Sequence, residues 1–319
     1  LRPIKLLYCT ADYSKYSFNY FEYFKYELAK LPQVELEFTT KKHGLLHVMR
    51  RRSFIPDFIF IDGVDFYWQN NRDIRYKLPD GLEDTTIPKG IILYDIHRPF
   101  ASKSLFLAFI EINKINLIFS PHRDAFLHRF PELASKLRWL PSHAYTPVFH
   151  SYKQRKTIDF LFMGDTDPEV YPLRRKIIDS MKDLPGFVHH LHPGYKNFSS
   201  SPRALIRKKY AKEINKARMF LTDASVFKYP IAKYFEVPAC RTLLLAEGLP
   251  ELEELGFIDG QTFVQINSTN FMEKADFYLK NEKARREITR NGYKLIQRRH
   301  TTEIRAKQFV NYLTAYLYS

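Results

Sequence analysis

Residues 233–247 read KYFEVPACRTLLLAE, and they place a single carboxylate, Glu236, between Phe235 and Val237 just ahead of an apolar run. A plain solvated surface charge fits poorly between two apolar neighbours. Lys228 and Lys233 add positive charge close by, and a helix opening near Pro230 would add the partial positive charge of its first amides. Cations beside one carboxylate suit a ligand that carries phosphates at one end and vicinal hydroxyls at the other, which is the pattern of a nucleoside diphosphate. Two further stretches could take part. FMGD (162–165) carries Gly164, where bare backbone lets a ligand approach closely, and HPG (192–194) sets one imidazole, His192, beside a tight turn. The competing readings are an ordinary strand-to-helix turn and a structural histidine. YDIHRPF (94–100) offers Asp95 and His97, which could orient or activate a hydroxyl or could equally be a capped turn. No GxGxxG or Walker A pattern follows these strands, which argues against dinucleotide binding and P-loop chemistry.

These residues need strands to hold them. IKLLYCT (4–10), VELEFTT (34–40), DFIFIDG (57–63), GIILYDIH (90–97), NLIFSPH (116–122) and KLRWLP (136–141) read as buried strands. Helices are expected between them over 18–31, capped by Ser14 or Ser17, over 44–52 and over 101–113. SYKQRKT (151–157) is polar and basic, a hinge, after which the rhythm restarts. IDFLFMGD (158–165), FVHHLHPG (187–194), MFLTDAS (219–225), TLLLAE (242–247) and TFVQI (262–266) are the second set of strands. Helices over 171–182, 203–217 and 230–239 lie between them, and patterned helices over 270–299 and 303–318 close the chain. Alternation of this kind predicts an α/β protein with two Rossmann-like domains, 1–150 and 151–300, whose parallel sheets face each other across a cleft. The helix over 301–319 is expected to pack back on the first domain.

Composition narrows the classes. The chain has 319 residues, 45% of them hydrophobic, enough to bury a sizeable core. There is no apolar run of about 18 residues and no recognisable signal peptide, although the chain starts at Leu1 and an upstream segment could be missing. Cys9 and Cys240 lie far apart in apolar stretches and read as buried thiols in a reducing cytoplasm. No Cys/His cluster has zinc spacing, so no metal site is expected. The net charge of +15 implies an anionic partner: phosphorylated substrate, nucleic acid or acidic membrane surface. Through residue 150 the chain carries 21 Lys+Arg against 16 Asp+Glu, and the remainder 29 against 19, so the excess concentrates in the second half. Solvated helix faces account for part of it.

The ordered series IDFLFMGDTDPEVYPLRRKI, KYFEVPACRTLLLAE, GFIDGQTFV and HTTEIRAKQF resembles the CgeB-like branch of the group 1 glycosyltransferases. The likeness covers most of residues 116–312, and the first hundred residues share only the strand-helix rhythm. It implies a GT-B fold, with a nucleotide-sugar donor, a UDP-sugar by preference, held mainly by the second domain and the acceptor by the first. It maps Glu236 to the ribose, Lys233 to the diphosphate, Gly164 and Arg174 to the loop and helix start beneath the donor, and His192 to the same site. It also implies a metal-independent enzyme with no cofactor beyond its substrate. Asp165-Thr166-Asp167 spells a DxD where the family has a variable turn. Two departures stand out. Arg241 follows Ala-Cys where the family has glycine, so it either clamps phosphate or sits at the rim, and Lys228 stands where related enzymes carry a first glutamate.

With no metal, Lys228, Lys233 and Arg241 would stabilise the leaving diphosphate. The resemblance further suggests retention at the anomeric carbon, and a glycosidase-type pair of carboxylates is not identifiable. Three rivals remain at this stage. The acceptor could be a polyanion such as modified DNA or a cell-surface polymer, given Arg50–Arg52 and Arg207–Lys209. The chain could be a nucleic-acid-binding protein on the same scaffold, although it has no helix-turn-helix, zinc finger or RNP motif. It could also dock at the inner face of a membrane, although the stripe Phe18, Phe21, Phe24 and Leu28 reads better as core.

Overall fold

The computed structural model describes residues 2–39, 45–62, 80–96, 103–198 and 204–319. The chain divides into two compact units. The first gathers Leu1–Ser14, Tyr20–Pro141 and Arg305–Ser319, the second Lys15–Asn19 and Ser142–Ile304.

In the first unit six parallel strands lie in the order β2-β1-β3-β4-β5-β6. They are β1 (Ile4–Cys9), β2 (Val34–Thr39), β3 (Phe58–Ile61), β4 (Lys89–Ile92), β5 (Leu117–Ser120) and β6 (Leu137–Trp139). β3, β4 and β5 are buried at every position, as strands covered on both faces must be. Between them run α1 (Tyr20–Leu28), α2 (Leu45–Arg52), α3 (Lys103–Ile112) and α4 (Arg123–Arg129). α1 buries Phe21, Phe24 and Leu28, so the aromatic stripe is core. Neither Ser14 nor Ser17 caps it. The Ser17 amide instead donates to the Lys196 carbonyl at 3.0 Å, and residues 15–19 pack within the second unit. That diversion delays the helix to Tyr20.

In the second unit five parallel strands lie in the order β11-β10-β9-β7-β8: β7 (Ile158–Gly164), β8 (Phe187–Leu191), β9 (Ala217–Leu221), β10 (Leu243–Glu247) and β11 (Val264–Ile266). The chain leaves β7 toward β8, then crosses to the other side of β7 for β9. The carboxyl ends of β7 and β9 therefore flank a switch point, where open α/β sheets take their ligands. The helices are α5 (Pro172–Met181), α6 (Arg207–Lys216), α7 (Lys233–Ala239), α8 (Pro250–Glu254), α9 (Phe271–Lys280) and α10 (Glu282–Arg299). Phe162, Ile177, Met219, Leu245 and Ile288 belong to one buried cluster beneath this sheet. The helix expected over 270–299 is two helices, because Asn281 leaves helical geometry with ψ 75°. The last helix, α11 (Thr302–Leu317), contributes Phe309 to the first unit, where its ring lies 4.7 Å from those of Phe60 and Phe119.

Candidate functional site

Gly164 ends β7 with φ +155°, a conformation open to glycine and little else. A Cβ there would sit 3.1 Å from Arg174 Nη1 and 3.5 Å from the Lys233 side chain. Bare backbone is therefore needed where two cations converge. They differ in kind. Arg174, on the first turn of α5, is buried: its Nε donates to Asp223 Oδ1 at 2.7 Å, its Nη1 to the Asp165 carbonyl at 3.1 Å, and its guanidinium lies over the Tyr171 ring at 3.7 Å. These partners commit it. Arg174 ties α5 to the loop after β9 and positions the floor of the site rather than reaching into it.

Lys233 opens α7, three residues later than the pattern around Pro230 predicted. Glu236 follows one turn on, so both side chains share a helix face. Both are half-buried, and desolvation moves them toward each other in acidity. Burial pushes the Glu236 carboxyl up from 4.5 despite the nearby Lys233 cation. It pulls the Lys233 ammonium down from 10.5, with Arg174 adding to the fall and Glu236 opposing it. The buried phenol of Tyr210, on α6, lies beside Glu236 but outside hydrogen-bond geometry; its acidity is weakened first by burial and then by that carboxylate.

His192 follows β8. Its Nδ1 accepts the Gly194 amide at 3.1 Å, so a neutral ring carries its proton on Nε2. Burial, then Lys233, drop its pKa to about 4, and at neutral pH it is an uncharged donor. Asp165 is turned to its own loop: Oδ1 accepts the amides of Thr166 at 2.7 Å and Asp167 at 3.2 Å. Asp167 likewise accepts from Glu169 at 3.0 Å. The DxD-like triplet thus folds its turn, and among the described residues no group of three His, Cys, Asp or Glu side chains is arranged to hold a metal ion.

Gly164, Arg174, His192, Lys233 and Glu236 are therefore together at the carboxyl ends of β7 and β8 and the start of α7. Lys228 is at the margin. It has φ +56° and its ammonium is ion-paired with Glu247 at the end of β10. Arg241 is not in the site, which corrects its expected role as a phosphate clamp. It follows the last turn of α7 and precedes β10, at the amino end of the sheet, and its guanidinium lies over the Tyr293 ring at 4.4 Å. Its φ of +52° explains the preference for glycine there: the chain leaves the helix through a left-handed residue. In the first unit Asp95 lies three residues beyond β4 and is partly exposed, whereas His97 falls outside the described residues. Asp223 and Tyr210 went unnoticed in the sequence. Asp223 stood within a stretch read wholly as strand, and Tyr210 within a basic helix.

Residues 174–311 match a family described as glycosyl transferase-like. The match takes in Arg174, His192, Tyr210, Asp223, Lys233 and Glu236. No curated protein matches the chain in sequence. Among solved structures, HepE from Anabaena in complex with UDP and glucose superposes with a TM-score of 0.66 at 11% identity, over 98% of this chain and 100% of that one. Sucrose-phosphate synthase from Thermosynechococcus elongatus gives 0.64 at 14%, with each chain covered fully. A glycosyltransferase from Rickettsia africae gives 0.61 at 10%, again over both whole chains. The chain has the GT-B fold. Its two parallel sheets, of six and five strands, are those expected of GT-B units.

Proposed function

We propose that the protein is a glycosyltransferase, of the CgeB-like branch, that moves a sugar from a UDP-sugar to an acceptor hydroxyl. The observation that carries this reading is the pairing of Lys233 with Glu236 one turn apart, beside the bare backbone of Gly164. Lys233 and the Nε2–H of neutral His192 face the diphosphate, and Glu236 accepts hydrogen bonds from the two ribose hydroxyls. HepE, the GT-B structure cited first above, was solved with UDP-glucose as well as with UDP and glucose, which supports the choice of UDP-sugar.

In the reaction the bond from the anomeric carbon to the β-phosphate oxygen breaks and UDP leaves with the electron pair. The acceptor oxygen bonds to that carbon and its proton passes to the departing β-phosphate oxygen of UDP. Lys233 stabilises the charge that develops on the leaving phosphate, as a fixed donor does in a water-poor site. We assign the acceptor to residues 1–150, with Asp95 orienting its hydroxyl, and the donor to residues 151–300. The transfer proceeds with retention and without a metal ion. We place the protein in the cytoplasm; no helix among the described residues is long and apolar enough to cross a membrane.

A panel of nucleotide sugars in a thermal-shift assay, with and without EDTA, tests the reading. Stabilisation by a UDP-sugar, unchanged by the chelator, is the expected result. A panel without any shift would overturn it, and a shift abolished by EDTA would remove metal independence.

A further inference from the structure

At the amino ends of the strands of the second unit, away from Gly164 and His192, the protein has a second concavity of about 460 Å³. That is within the usual range for small-ligand pockets. Seven of its lining residues are cations and only one, Glu282, is a carboxylate. Arg155 and Lys156 come from the basic stretch before β7, Arg218 from β9 and Arg241 from the turn before β10. Helix α10 supplies the rest through positions 282, 285, 286, 289 and 290, a stripe along one face.

The cations are held in a way that leaves much of their charge unanswered. Lys156 Nζ donates to the Arg241 carbonyl at 2.9 Å and to Thr242 Oγ1 at 3.0 Å, both neutral acceptors, so its charge remains and one proton is uncommitted. Arg285 is buried and donates to the carbonyls of Tyr278 and Leu279 at 2.5 and 2.8 Å. Arg218 is paired with Asp159, and Arg286 with Glu282. Arg155 and Arg290 have no ion-pair partner among the described residues and are exposed at the rim. Burial, with Arg218 and Arg285 adding to it, pulls the Lys156 ammonium down to about 8. An ordinary solvated stripe on α10 would not account for cations converging on it from three other segments.

We propose that this cavity binds a compact anion carrying two or three clustered phosphate groups. Several guanidinium forks in a confined volume match phosphate oxygens in geometry and number, and a single carboxylate ligand would leave most of the charge unmatched. A concavity of this size suits a small anion, whereas duplex nucleic acid is bound along an extended basic surface. The same phosphate chemistry could be offered by a soluble polyphosphate or by a phosphorylated lipid headgroup.

The test is calorimetric titration with inorganic tripolyphosphate, beside co-sedimentation with phosphatidylcholine vesicles with or without phosphatidylinositol 4,5-bisphosphate. Both are run on the wild type, on Arg155→Ala/Arg290→Ala, and on Lys233→Ala. We expect one-to-one binding of tripolyphosphate that weakens at least tenfold in the double variant and is retained in Lys233→Ala. Binding of the bisphosphate lipid that is lost in the double variant, with tripolyphosphate bound weakly, would identify a headgroup as the source and still support the site. Because Arg155 and Arg290 are exposed, the double variant is expected to fold. The proposal is overturned if neither probe binds, if binding survives the double substitution, or if Lys233→Ala abolishes it.

Discussion

In the donor site proposed above, burial acts in opposite directions on Glu236 and Lys233. Ribose recognition needs the ionised carboxylate, and phosphate recognition needs the protonated amine. Because the carboxyl is raised and the ammonium lowered, UDP affinity falls on the acid side as Glu236 gains a proton and on the alkaline side as Lys233 loses one. The resulting bell is narrower than an ordinary Glu–Lys pair would give, and calorimetry across pH 5 to 10 reads its width. Replacing Glu236 by Ala removes two charge-assisted hydrogen bonds and should weaken UDP by on the order of 100-fold in a folded protein. Lys233→Ala should lower kcat by on the order of 100-fold or more, with acceptor KM little changed. A carboxyl with a raised pKa disfavours folding only once ionised. Glu236→Gln should therefore raise Tm, and more at pH 8 than at pH 5; an equal gain at both would show that the wild-type carboxyl titrates normally.

At the scale of elements, the Arg174–Asp223 pair joins α5 to the loop after β9 beneath the site, with both side chains almost wholly buried. Asp223→Ala strands a buried guanidinium and should cost about 3–5 kcal/mol in urea unfolding. Arg241→Gly should leave UDP affinity unchanged, because relief of a left-handed arginine roughly offsets the lost contact with Tyr293 and neither touches the donor site. Strands were the most legible elements. Runs such as FIFI and LLLAE are apolar and bounded by polar residues, as strands covered on both faces must be. Helix ends were less so: α7 starts at Lys233 and not near Pro230, and Asn281 divides one expected helix into two. Arg241 was misplaced because a seven-residue helix carries the chain about 10 Å along its axis, away from the carboxyl ends of the strands.

For the molecule as a whole, sequence pattern was enough to anticipate two parallel sheets, and the resemblance to group 1 glycosyltransferases anticipated the GT-B fold. The candidate cluster was legible where its residues punctuate strand ends, as Gly164 and His192 do, or break an apolar pattern, as Glu236 does. It was not legible where the cluster is completed by residues distant in sequence and ordinary in type. Asp223 needs Arg174 to be noticed, and Tyr210 needs Glu236. The positive charge of the second half is divided: Lys233 lies beside Gly164 at the carboxyl end of β7, and a separate group gathers at the opposite end of the sheet. Titration calorimetry of UDP into the wild type and into folded Glu236→Ala tests the central claim most directly. The account predicts saturable one-to-one binding that the substitution weakens by on the order of 100-fold. Equal affinities in the two proteins, or no heat from the wild type, would contradict it.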